Sequence, residues 1–128
     1  MTDDEKRALI SRYLDAYNSF DVDGMVETLH PDVEFTNVSD GEVSAAASGV
    51  EEFRAMAEKA TEIFASRRQT VTAVESGDEG ALSIDVTYEG TLAQDLPGGL
   101  EAGETVQLEG RSTFGFGDGK IARIVDYS

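Results

Sequence analysis

Asp126 is the residue best placed to do chemistry in this chain. It lies in KIARIVDYS, where a period of two puts it on one strand face with Ile124 and Ala122. A carboxylate on an apolar row is costly unless hydrogen-bonded, and a desolvated carboxyl that titrates nearer neutrality can give or take a proton. Asn37, in VEFTNV, shares a face with Phe35 and Val33, which directs it inward as a buried amide that needs backbone or ligand partners. Ser112 has the parity of Leu108 and Gly110, and the glycine opens space for a ligand. A serine with no base beside it is a hydrogen-bonding group rather than a nucleophile. Asp85 reads two ways. Ser83, Asp85 and Thr87 make one face of their strand, and Leu82, Ile84, Val86 and Tyr88 make the other. Burying the apolar row sends Asp85 to solvent or to a dimer surface, whereas a catalytic Asp85 needs the polar row to face a cavity.

These residues need elements to hold them. Thr2 and Glu5 fit a capping box for a helix over residues 3–19, with Leu9, Ile10, Tyr13, Leu14, Tyr17 and Phe20 on one face. The rings of Tyr13 and Tyr17 are therefore core, and only their hydroxyls can reach a ligand. Asp21 caps a second, short helix that His30-Pro31 should stop, since the residue before proline leaves the helical region. His30 is then a C-terminal cap whose cation the helix dipole favours. Residues 33–38 alternate as a strand, Ser39-Asp40-Gly41 turns, and residues 43–47 can pair back on it. Ser48 and Glu51 suggest a second capping box for a helix over 50–66, with Phe53, Met56, Ala57, Ala60, Ile63 and Phe64 as its core stripe. From Gln69 the period is two to the end, in four strands broken by SGDEG, DLPGGLEAG and GDG. Helices first and antiparallel strands after make an α+β single domain over residues 1–128, with helices on one face of a curved sheet.

Composition removes whole classes of function. Twenty-six acidic side chains against ten basic ones give a net charge of −16. Nucleic-acid backbones and anionic membrane surfaces are therefore not expected as partners. No cysteine is present, so disulfides, thiolate metal sites and cysteine nucleophiles are out, and a single histidine argues against multi-histidine metal sites. Asp21-Val-Asp23-Gly24 and Gly117-Asp118-Gly119 resemble fragments of calcium loops but lack the spaced oxygen ligands and closing glutamate. They read as turns, and no metal or other cofactor is expected. No apolar run approaches the roughly 18 residues of a membrane helix, and the N-terminus does not read as a signal peptide, so a cytoplasmic location is expected. At 40% hydrophobic residues the chain can fold despite its charge. Such a surface suits a salt-rich cytoplasm or an acidic protein of the ordinary kind.

The order of elements, with RYLDAYNSFDVDGMVETLHPDVEF near the start and GRSTFGFGDGKIARIVDY at the end, resembles the nuclear-transport-factor-2-like superfamily, in particular its SnoaL-like and ketosteroid-isomerase-like branches. The resemblance spans nearly the whole chain. It implies a cystatin-like, cone-shaped barrel, with N-terminal helices packed in a strongly curved, mostly antiparallel sheet. It also implies one deep pocket and often a homodimer through the sheet. It specifies fold better than activity, because the scaffold hosts isomerases, cyclases, hydrolases and non-catalytic binders. Against the ketosteroid isomerase pattern, Tyr13 matches the oxyanion-donor tyrosine, but the base position falls on Asn37 and the second acid on Ser112, so steroid isomerisation is not expected. Against the limonene epoxide hydrolase pattern Asn37, Asp85 and Asp126 match, while Phe35 and Ser83 stand where that family has tyrosine and arginine. The SnoaL-like cyclases imply Asp126 as acid/base in an intramolecular aldol closure. The expectation is a binder of a small, partly polar organic molecule, with Tyr13, Tyr17, Phe35, Leu108 and Ser112 as contacts. The alternatives are an acid/base enzyme using Asp126 with Asn37 and Asp85, and a protein-interaction module.

Overall fold

The structure, a computed structural model, describes residues 1–127; Ser128, included in the predicted last strand, lies outside the described residues. Helix α1 spans Asp3–Asn18, α2 Val22–Glu27 and α3 Val50–Ile63. The strands are β1 (Leu29–Ser39), β2 (Glu42–Ser48), β3 (Phe64–Ser76), β4 (Leu82–Leu92), β5 (Thr105–Gly117) and β6 (Lys120–Tyr127). They form one six-stranded sheet in the order β2-β1-β6-β5-β4-β3, antiparallel except for the parallel β1–β6 pair. The α+β architecture is the expected one. Helix α3 packs on β1 and β2 at one edge of the sheet and on β3 at the other, so the sheet curls around the helices into a cone.

Local signals explain most boundaries. The Thr2–Glu5 capping box is present in both directions, with backbone-to-side-chain distances of 3.0 and 3.1 Å. Asp21 caps α2 through a bond from the Gly24 amide of 3.0 Å. Asp40 and Gly41 turn β1 into β2 with positive φ at both positions, as a two-residue hairpin requires.

Three local expectations are corrected. First, α2 ends at Glu27, and His30 and Pro31 are already strand residues of β1. His30 is not a helix cap: its Nε2 lies 3.0 Å from Asp118 in the β5–β6 turn, and its Nδ1 accepts the Asp32 amide. Proline is tolerated there because that stretch of β1 makes no ladder bonds, the β1–β6 register being broken between Leu29 and Glu34. Second, Ser48 does not cap α3. Gly49 is the N-cap at φ +85°, with no side-chain cap, and the Ser48 hydroxyl donates instead to Glu34 on the neighbouring strand. Third, α3 stops at Ile63 and β3 begins at Phe64 rather than Gln69. The Phe64 ring packs edge-on against Tyr88 and lies over Gly90, where a Cβ would come within 2.9 Å of it.

The core sits between α1, α3 and the concave sheet face. Phe53 of α3 touches Tyr13 and Phe35, with ring centroids 6.4 and 5.7 Å apart, and Tyr13 meets Phe114 edge-on at 6.0 Å. Among the described residues no helix is long and apolar enough to cross a membrane.

Candidate functional site

Strand register builds the site row by row. Phe35, Ile124, Phe114 and Leu82 lie side by side across β1, β6, β5 and β4, all buried. One side-chain position further toward the wide end, the same face carries Asn37, Asp126, Ser112 and Ile84. Beyond these come Gly110 beside Val86, and then Leu108 beside Tyr88 and Gln69. A row with three polar members thus separates a fully apolar floor from a mixed mouth.

Two lobes of open space meet at this row, of about 220 Å³ and about 210 Å³. Both are lined by Tyr17, Asn37, Gln69 and Asp126. The inner lobe adds Tyr13, Phe35 and Phe53, and the outer one adds Tyr88, Leu108, Gly110 and Ser112. All five expected ligand contacts therefore line the cavity: Tyr13 and Phe35 the inner lobe, Leu108 and Ser112 the outer, and Tyr17 both.

Asp126 is enclosed by protein, and what remains of its surface opens onto the cavity. Burial pushes its carboxyl up to about 6, against the lowering effect of the Ser112 hydroxyl, which donates to Oδ1 over 2.6 Å. Asn37 is its neighbour on β1 but is not hydrogen-bonded to it. The Asn37 amide nitrogen donates to Ser44 Oγ at 2.7 Å and, more loosely, to Ser39 Oγ at 3.4 Å. The Tyr13 phenol is pushed well above its ordinary range by burial and then by the nearby Asp126 charge. Its hydroxyl therefore stays protonated, as a hydrogen-bond donor, at any ordinary pH.

Asp85 is not part of this cavity. The apolar row of β4 faces inward, and Asp85 lies on the outer sheet face, where Arg111 bonds it at 2.8 Å and Glu75 at 2.7 Å. The cause is parity: burying Leu82, Ile84 and Val86 fixes the other row outward. An arginine does sit beside Asp85, as in the epoxide hydrolase pattern, but it comes from β5 and both groups are outside.

Arg67 and Gln69 are lining residues that the periodicity did not single out. Arg67 falls between the expected helix over 50–66 and the strand expected from Gln69, where Arg67-Arg68 reads as a polar link, and Gln69 opens that strand. The signal was there, since Arg67 and Gln69 continue backward the parity of Val71. Arg67 donates from Nε to the Tyr17 carbonyl at 3.0 Å, and Asn18 accepts the Gln69 amide at 2.8 Å, so the end of α1 is clipped to β3. Among the described residues no group of three His, Cys, Asp or Glu side chains is arranged to hold a metal ion.

A family model described as SnoaL-like domain matches residues 10–124. The chain belongs to the SnoaL-like domain family. Solved structures agree in fold over nearly the whole of this SnoaL-like domain. A candidate polyketide cyclase from Xanthomonas campestris pv. campestris superposes with a TM-score of 0.82 at 23% identity, covering 98% of this chain and 90% of that one. Another from Pseudomonas putida gives 0.73 at 27% identity, covering 94% and 88%. TerC, crystallised with polyporic acid, gives 0.74 at 17% identity, covering 95% and 89%. Against curated proteins the sequence finds no match.

Proposed function

We propose that this SnoaL-like domain binds a small, partly polar organic molecule in the two-lobed cavity, and that Asp126 moves a proton to or from it. The observation that carries the proposal is a carboxyl held at about 6 where the two lobes meet. A group poised near neutrality is present in both protonation states under physiological conditions, which is what general acid/base work needs. The wall supports binding as well, being aromatic and apolar with a few convergent polar groups.

The chemistry that fits is enolisation, the step that begins an aldol-type ring closure. Ser112 occupies Asp126 Oδ1 and leaves Oδ2 for the substrate. Ionised Asp126 takes a proton from a carbon next to a carbonyl, and the C–H electron pair moves onto the carbonyl oxygen. The Tyr13 hydroxyl donates a hydrogen bond to that oxygen as its charge develops. The Asp126 carboxylic acid then returns the proton to carbon or to an oxygen. Asn37, tied to β2, orients the ligand rather than exchanging a proton. The candidate polyketide cyclases among the structural neighbours are in keeping with this class of step.

A homodimer through the sheet and a cytoplasmic, salt-adapted setting belong to the same proposal. They are supported by the exposed Tyr127, which lies on the outer sheet face beside Arg111, and by the net charge of −16.

The test uses β-tetralone, an enolisable ketone, in heavy water. The native chain should accelerate exchange of its α-hydrogens, and Asp126→Asn should abolish that acceleration while keeping the ketone bound and the fold intact. Binding without accelerated exchange would leave a binding protein. No binding by this or other aromatic ketones would remove the cavity as the site.

A further inference from the structure

Arg67 is the only arginine or lysine among the described residues that is buried, at 5% exposure, and it lines the inner lobe. Its guanidinium is fixed on three sides. Nε is committed to the Tyr17 carbonyl, and the planar group stacks on the Tyr17 ring, with its carbon 3.8 Å from the ring centroid, and on Phe20 at 4.7 Å. Nη2 is shielded from solvent and has no hydrogen-bond partner. An unmatched donor on a buried cation is expensive, and native structures rarely keep one without a reason. The chain carries 26 acidic side chains, yet among the described residues none pairs with Arg67. Holding the end of α1 accounts for Nε alone.

We propose that Arg67 is the recognition group for a delocalised oxyanion on the ligand, so that the molecule taken by the cavity is a flat, largely apolar organic acid. This rests on the cavity being the binding site and names the class of molecule that fits it. With Nε held, the planar guanidinium keeps its two terminal nitrogens as a fork matched to two oxygens that share one charge, and an anion in the inner lobe meets the shielded Nη2 as the side chains over it give way. Carboxylates and the anions of acidic enols both present that pair. The rest of the inner lobe, with Phe35, Phe53 and Met56, suits a flat unsaturated body. A surface of net charge −16 repels anions, so an anionic ligand needs a local cation inside, and Arg67 supplies it.

Three probes test the proposal by NMR titration at about pH 5.5, where both acids are ionised: cinnamate, its neutral isostere cinnamamide, and lawsone as an acidic enol. Native protein should bind cinnamate, lawsone or both about tenfold more tightly than cinnamamide. The side-chain N–H resonances of Arg67 should move with the anions and not with the amide. In Arg67→Met the preference should vanish, cinnamate and lawsone binding no more tightly than cinnamamide does to the same variant. Because that variant also strips the Tyr17 carbonyl of its donor, the Arg67 resonances of the native protein serve as the readout that needs no substitution. A preference confined to lawsone supports the proposal with an enolate as the group. Equal binding of acid and amide, or a preference that survives Arg67→Met or leaves the Arg67 resonances still, overturns it and leaves the cavity as the site. If no probe binds and the resonances of Tyr13 and Tyr17 do not move, the cavity itself fails as the site, and the proposal with it.

Discussion

Ser112 and Asp126 face each other across β5 and β6, and the serine hydroxyl donates a 2.6 Å hydrogen bond to one carboxyl oxygen. Two opposed influences therefore act on one proton: enclosure raises the carboxyl and the serine lowers it. Removing the serine leaves only the first. In Ser112→Ala the Asp126 titration should move upward from its value of about 6, followed by the carboxyl carbon resonance in a pH series. An unchanged or lower midpoint would show that the hydroxyl is not the donor.

The same proton couples the site to folding. Asp126 has a raised folded value, about 6 against 3.8, so its contribution is present in full below about pH 4 and is lost as pH rises through about 6. Above that, the native state carries an ionised, enclosed carboxylate at a cost of up to about 3 kcal/mol. Asp126→Asn carries no such burden. Urea unfolding at pH 8 should find this variant more stable than the native chain, with the gap narrowing at about pH 4.

On the outer sheet face, Asp85 should matter little. Its ion pair with Arg111 is exposed to water, and pairs of that kind contribute less than about 1 kcal/mol. Asp85→Asn should leave the Asp126 midpoint and probe binding where they were. A shift in either would put Asp85 in touch with the cavity after all.

Phe53 closes the inner lobe from the helix side and is 1% exposed. Phe53→Ala should lower stability by about 3–5 kcal/mol, measured by urea unfolding, and should enlarge the lobe enough to admit bulkier aromatic probes.

Charge repulsion across a surface of net −16 is screened by salt. The thermal midpoint should rise between about 0.1 M and about 3 M KCl if repulsion limits stability. A flat or falling curve would count against the salt-adapted setting.

Much of this was readable before any coordinates. Strand parity alone placed Asp126, Asn37 and Ser112 inward, and register then joined them into one row. Parity could not decide Asp85, because either face of β4 can be buried until a curved sheet encloses one of them. Arg67 escaped for a different reason. A buried, unpaired arginine violates the pattern by which strands are recognised, so Arg67-Arg68 looks like a link, and only the curl that brings β3 against the end of α1 shows what Arg67 faces. The Ser48–Glu51 spacing misled because short-range patterns carry no knowledge of the neighbouring strand, which takes the Ser48 hydroxyl through Glu34.

The placement of β6 has a consequence for how the molecule comes into being. It is the last of the six strands in chain order, yet it lies in the middle of the sheet, joining β2-β1 on one side to β5-β4-β3 on the other. Until β6 has been synthesised, β1 and β5 have no neighbour to join them, so the six-stranded sheet cannot close. The strand that delivers Asp126 is thus also the keystone: the same eight residues complete the sheet and bring the acid to the cavity.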